Sequence, residues 1–349
     1  MLRSHRESRP IADFLTDLEY QERLLPSVSR TFALTIPVLP ERLAQVVANA
    51  YLVCRLADTI EDDVELDQGR KSEFHRRLVD IVRGKESAEV FTAELLPLLS
   101  SRTSADEREL VAGTAAVIRI MAAFSAAERL ALTRCVSAMC AGMPKFQRCK
   151  SLRGFKNLEE MDDYCYVVAG VVGEMLTELF CVHCSKLRPR RDEMMHLAVS
   201  FGQGLQMTNI LKDIWDDREA NTCWLPRSVF RGNDFDIERL DESHDSDSFR
   251  DGLQELIGIA HRHLRGALEY TSFIPPKESG MRKFCLRAIG LAILTLQKIH
   301  SQPGFTSSQR VKISRRSVRA TILLTDLTLS SDRALRMLFS LAAKGLPLH

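Results

Sequence analysis

Residues 40–62 read PERLAQVVANAYLVCRLADTIED. Leu43, Val46, Val47, Ala50, Val53 and Cys54 fall on one stripe at helical spacing, so the stretch from Pro40 to Ala57 is an amphipathic helix with a face for a core. Its apolar run closes on three acids, Asp58, Glu61 and Asp62. The pattern returns later, where the apolar run from Leu197 to Leu211 closes on Asp213, Asp216 and Asp217. Two long helices that each end in a strip of carboxylates point to the fold class and to where the chemistry lies.

The rest of the chain has the same character. Helical periodicity predicts further segments at 73–83, 106–123, 125–143, 159–184, 190–218, 247–271, 280–300 and 315–343. No alternating strand pattern of useful length and no tandem repeat interrupts them. Loops are expected at 144–157, 219–246 and 301–311, and none has the composition of a domain linker. An all-α, single-domain helical bundle over residues 1–349, with 1–24 as an N-terminal extension, is the architecture this implies.

Apolar residues make up 45% of the chain and charged residues 27%, with a net charge of +2. That balance is ordinary for a globular protein and gives no case for nucleic acid. The first ten residues are polar, without the apolar core of a signal peptide. No run of 18 apolar residues is present, so no transmembrane anchor is expected. The nine cysteines are irregularly spaced and several sit in apolar helical stripes, which fits reduced, buried thiols in a cytoplasmic protein, and a monomer is expected. Between Lys277 and Arg319 stand ten Lys or Arg and one acid, Glu278. This basic stretch suits phosphates or an anionic membrane face, or is a solvated surface. The amphipathic end at 315–343 either rests peripherally on a membrane or packs on the bundle.

Each acidic motif reads D-x-x-[DE]-D. On a helix, positions i, i+3 and i+4 share a face, and i to i+4 spans about 6 Å. Carboxylates stacked in this way are either a solvated acidic face or a grip for a hard divalent cation. Mg²⁺ keeps several waters and takes substrate phosphates as further ligands. Two such strips on facing helices would hold diphosphates through bridging ions. Loss of diphosphate would then leave an allylic cation that needs an apolar cavity shielded from water.

Basic and polar neighbours fit this picture. Arg55 shares the face of Asp58, Lys212 precedes Asp213, and Arg218 follows Asp217. Ser29-Arg30-Thr31-Phe32 brings a hydroxyl, a guanidinium and a ring to a helix start, where Arg30 suits bidentate contact with a phosphate. Gln206 and Asn209 lie on the face of Asp213 and either orient substrate or bond to another helix. In Tyr164-Cys-Tyr166-Val-Val-Ala169-Gly170-Val-Val-Gly173-Glu174 small residues recur at helical spacing. They permit close approach of a neighbouring helix or of a substrate tail. Tyr164 is suited to face a cation with its ring or to exchange a proton.

Together these blocks resemble the signatures of the squalene and phytoene synthase family, in the same order and spacing across about residues 25–320. The resemblance implies an all-α isoprenoid synthase fold around a central cavity. It implies condensation of two prenyl diphosphates through a cyclopropyl diphosphate, with farnesyl diphosphate the favoured substrate. Asp58, Glu61, Asp62, Asp213 and Asp217 become the ligands of Mg²⁺, or of Mn²⁺, and Tyr164 the catalytic tyrosine. Ser29, Arg30, Phe32, Arg55, Gly170, Gln206, Asn209, Lys212 and Arg218 become substrate contacts.

Met281-Arg-Lys-Phe-Cys285 and Arg310-Val-Lys-Ile-Ser314 are similar to the branch that reduces its product with NADPH to squalene, which makes Lys312 a cofactor contact. Ser314 and Lys212 stand where that branch has Arg, and Arg315 is placed to substitute. Tyr164-Cys-Tyr166 is closer to the phytoene and dehydrosqualene branch, which omits the reduction. A non-catalytic scaffold with the same fold is the other alternative, and the intact acidic pair argues against it.

Overall fold

A computed structural model describes residues 5–29, 31–147, 151–243 and 246–348. Among the described residues there is no β-strand, and the one isolated bridge joins Phe155 to Pro226. The chain divides into two units. One comprises Met1–Pro144 with Glu178–His183, the other Lys145–Thr177 with Cys184–His349.

The first unit is built from α1 (His5–Val28), α2 (Phe32–Thr35), α3 (Glu41–Asp62), α4 (Gln68–Val82), α5 (Ala88–Leu95), α6 (Ala105–Ala112), α7 (Thr114–Ala122) and most of α8 (Ala126–Gln147). In α3 all six residues of the predicted stripe are buried. Buried Asn49 donates to Gln21 Oε1 (3.0 Å) and to the Val117 carbonyl (2.9 Å), tying α3 to α1 and α7. Helix α3 ends because Asp63 leaves helical geometry. Its carboxylate accepts from Glu65 N, Leu66 N, Ser100 N and Thr103 Oγ1 at 2.7–3.1 Å. The expected N-terminal extension is joined to this packing, since Arg119 makes a bidentate pair with Asp17 (2.7 and 2.8 Å).

One expected helix, 106–123, is broken at Gly113. The Tyr20 ring lies over that glycine so closely that a Cβ there would meet its hydroxyl at 2.0 Å. The hydroxyl itself donates to the Glu109 carbonyl at the end of α6 (2.7 Å). A contact from α1 decides the break, and local periodicity carries no sign of it.

The second unit contains α9 (Leu158–Cys165), a π-helical turn (Tyr166–Gly170), α10 (Val171–His183, whose end groups with the first unit), α11 (Arg191–Lys212), α12 (Ile214–Glu219), α13 (Arg227–Gly232), α14 (Leu240–Ser243), α15 (Asp247–Phe273), α16 (Ser279–Ser301), α17 (Arg315–Thr328) and α18 (Asp332–Ala342). Its centre is α11. A Cβ on Gly173 would strike the Ala198 carbonyl at 2.2 Å, and one on Gly202 the Ala169 carbonyl at 2.2 Å. The small-residue stripe therefore serves close packing of the Tyr166–Gly173 segment on α11. Helices α17 and α18 are tied to α16 through Asp326, which lies 3.4 Å from Lys283 and 3.5 Å from Arg287, and through Asp332, which pairs with buried Arg282.

Only one helix among the described residues bears on the expected lack of a transmembrane anchor, and by length and composition alone. The continuous run Leu158–His183, with mean hydropathy 1.7 in its most apolar window, is long and apolar enough to cross a membrane, and 44% of that window is buried within the protein. The π turn carries the acidic α9 on into the apolar α10, which makes this one run.

Candidate active site

In the first unit, Tyr51, Arg55, Asp58 and Asp62 follow one another at intervals of four, three and four residues along one face of α3. The Arg55 guanidinium lies 3.8 Å from Asp58 and also pairs with Glu107. Asp58 keeps 33% of its side chain accessible. Burial, then the negative charge of Asp62, pushes its carboxyl up to about 7, against the opposing pull of Arg55. Asp62 is exposed, whereas Glu61 is buried. Lys71 Nζ donates to the Glu61 carbonyl (2.6 Å) and His75 Nε2 bonds the Ala57 carbonyl (3.0 Å), so α4 braces the end of the acidic turn. The Cys140 thiol is pushed far up by burial, with Cys54, Asp58 and Glu61 adding to the effect.

Ser29 Oγ accepts from Phe32 N (3.1 Å), and the Phe32 ring packs on Tyr51 at 4.9 Å. Tyr51 donates its hydroxyl to the Val28 carbonyl (3.0 Å). Burial raises its phenol, while hydrogen bonding to Ser29 and the charge of Arg55 lower it. The structure thus joins Ser29, Phe32, Arg55 and Asp58 through Tyr51, a residue the motif reading passed over. Its signal was the helical register, one turn before Arg55. Arg30 lies outside the described residues.

In the second unit, Asp213 stands at the junction between α11 and α12 and breaks what periodicity reads as one helix. Asp213 N still bonds the Asn209 carbonyl (2.9 Å) and Asp217 N the Asp213 carbonyl (2.9 Å), so Asn209, Asp213 and Asp217 keep a common face. Lys212 Nζ lies 3.1 Å from Asp213. Burial raises the Asp213 carboxyl, and Lys212 partly offsets it. Asp216 is otherwise engaged, because its Oδ2 accepts from Ser308 Oγ (2.7 Å). Gln206 is half-buried and Asn209 exposed.

Arg218 faces away from this group. Its buried guanidinium donates to Asp241 (3.0 and 2.6 Å) and to the Ile237 carbonyl (3.3 Å). Lys312 is exposed and reaches Gln309 at 3.5 Å. Arg315 is exposed in the first turn of α17, where Ser314 caps the helix by accepting from Ser317 N. The Ser308–Asp216 bond ties the segment that leads to Lys312 to the second acidic motif.

Tyr164 occupies the last turn of α9. Its ring stacks on Trp224 (centroids 4.5 Å apart, planes at 7°) and meets Phe146 and Phe155, each at 5.4 Å. Tyr164 and Trp224 are half-buried while Phe155 is wholly buried. Gly170 is buried at the end of the π turn, with Tyr166 and Val199 against it. Such turns recur at functional sites.

Among the described residues no three His, Cys, Asp or Glu side chains are gathered closely enough to form a ready metal cage. The donor set nevertheless suits Mg²⁺, which is commonly held by one or two carboxylates with waters and substrate phosphates. Asp58 shows why, since carboxylates crowded at that depth are costly without a counter-charge.

The all-helical fold is that of the helical isoprenoid synthases. Within that class, a model described as squalene/phytoene synthase matches residues 25–317, and the chain belongs to that family of prenyl-transferring enzymes. It is 26% identical over 301 residues to a squalene synthase of Cochliobolus lunatus, covering 86% of this chain and 69% of that one. To a squalene synthase of Gibberella zeae it is 28% identical over 306 residues, covering 85% and 62%. The chain thus spans about two thirds of the length of these curated relatives. The structure of TcSQS with a ligand shares the fold, with a TM-score of 0.74, 24% identity, and coverage of 94% of this chain and 91% of that one.

Proposed function

We propose that the protein condenses two farnesyl diphosphates head to head through a cyclopropyl diphosphate and reduces the product to squalene with NADPH. The observation that carries this reading is the acidic turn of α3. There burial and like charge hold Asp58 near 7, a state that a bound divalent ion would relieve. Asp58, Glu61 and Asp62 in one unit, and Asp213 and Asp217 in the other, would hold Mg²⁺ or Mn²⁺. The ion supplies neutralisation of the diphosphate as it leaves.

The remaining roles fall to the chain itself. Arg55 and Lys212, each beside an acid of its motif, bind phosphate oxygens, with Ser29 and Phe32 ordering the chain before α3. Gln206 and Asn209 orient substrate on the Asp213 face. Tyr164 exchanges a proton or faces a cation with its own ring. Lys312 and Arg315 are exposed cations suited to the phosphates of NADPH, which supplies the hydride.

The assay is incubation of the purified protein with farnesyl diphosphate, Mg²⁺ and NADPH. Diphosphate release with NADPH oxidation and a C30 hydrocarbon is the expected outcome. A C30 product formed without NADPH oxidation selects the non-reducing reading instead, which Ser314 and the Tyr164-Cys-Tyr166 block favour. Failure to release diphosphate from farnesyl diphosphate, and from its C20 homologue, refutes both.

A further inference from the structure

The segment carrying Trp224 connects α12 to α13, where a loop would ordinarily be variable and mobile. Here it is pinned. Cys223 N donates to the Ser151 carbonyl (3.0 Å), Phe155 N to the Leu225 carbonyl (3.0 Å) and Arg227 N to the Phe155 carbonyl (2.8 Å). The two strands of chain pair so closely that Gly154, at φ +67°, would place a Cβ 2.3 Å from the Leu225 carbonyl. Only glycine meets both the left-handed backbone and that approach without strain. The clasp fixes Phe155 and Trp224 around Tyr164, with Phe155 also 5.4 Å from Trp224.

The α9 backbone alone leaves the Tyr164 side chain several rotamers. The parallel stack at 4.5 Å closes one face of its ring. The edge-on Phe146 ring and the tilted Phe155 ring limit the rest. We infer that Trp224, held by the Ser151–Phe155/Cys223–Arg227 clasp, is a positioning residue that aims Tyr164, an assignment that rests on the catalytic part proposed for Tyr164 above. A displacement of about 1 Å in a reacting group can cost about 10²-fold in rate, so this aim matters to turnover more than to binding.

The test compares Trp224→Leu, which removes the π face, with Trp224→Phe, which keeps one. Both are measured alone and in a Tyr164→Phe background by diphosphate release, with thermal midpoints recorded alongside. Trp224→Leu should lower kcat about 10- to 100-fold with little change in KM. Trp224→Phe should retain most of the activity. In the Tyr164→Phe background the Trp224 changes should add almost nothing, because the residue they aim has lost its hydroxyl.

Equal losses for Leu and Phe, or losses that multiply fully with Tyr164→Phe, overturn the inference. If Trp224→Leu fails to fold, Trp224→Met, which fills the space without a π face, takes its place in the same cycle and decides the matter in the same way. A wild type that releases no diphosphate refutes the functional reading and this inference with it. That outcome differs from an active wild type with independent variants.

Discussion

Asp58→Asn should stabilise the metal-free protein while abolishing its turnover. Burial and the charges of Asp62 and Glu61 lift the Asp58 carboxyl from 3.8 to about 7. At about 1.4 kcal/mol per pH unit, keeping this group ionised in the fold costs about 4 kcal/mol. One third of the side chain is accessible, and solvent screening reduces the figure to about 2 kcal/mol. The folded protein binds this proton more tightly than the unfolded chain. The cost is therefore absent at pH below 3.8, grows as pH rises between 3.8 and about 7, and is complete above that window.

In a chain of this size a gain of about 2 kcal/mol moves the thermal midpoint by about 3 °C. Scanning calorimetry with a chelator at pH 8 and pH 5 should show the variant melting higher at pH 8. At pH 5 the advantage should be smaller, because a larger share of the wild-type carboxyl is protonated there. Mg²⁺ should raise the midpoint of the wild type at pH 8 more than that of the variant. A variant no more stable than wild type at pH 8, or equally favoured at both pH values, refutes the reasoning.

Asp213→Asn should lower turnover by about 10²-fold or more, whereas Asp216→Asn, at a carboxylate that already accepts from Ser308, should cost far less; steady-state diphosphate release separates them. Arg218→Ala should cost about 2 kcal/mol of stability in urea unfolding, from the lost bonds to Asp241 and Ile237. The same variant should leave KM close to wild type, and a rise in KM without loss of stability would place Arg218 at the substrate instead.

Helical periodicity located α3, α11, α15 and α16, because each buries a stripe that recurs at about 3.6 residues. The acidic motifs were visible for the same reason. Their division of labour was not, since Asp216 is taken by Ser308, 92 residues away, and Arg218 by Asp241 across a loop. Periodicity also ran through Gly113 and Asp213, where the helices break. At Gly113 the cause is a tyrosine from α1, a tertiary contact that leaves no trace in the local pattern. Tyr51 was legible from the helical register alone. Trp224 and Phe155 were not, because they meet Tyr164 through a backbone clasp between two loops, and Gly154 is its single sequence mark.

The π turn at Tyr166–Gly170 closes on a bond from Val171 N to the Tyr166 carbonyl, so it holds one residue more than an ordinary α-turn. That surplus makes it the one place in this long helix where the chain can be shortened without turning its faces. Excision of Val167 or Val168 would let the backbone relax to the regular repeat while Tyr164 and Gly173 keep their headings. Excision within α10 would swing each later side chain by about 100°. Related chains that differ in length by one residue in this helix should therefore differ here.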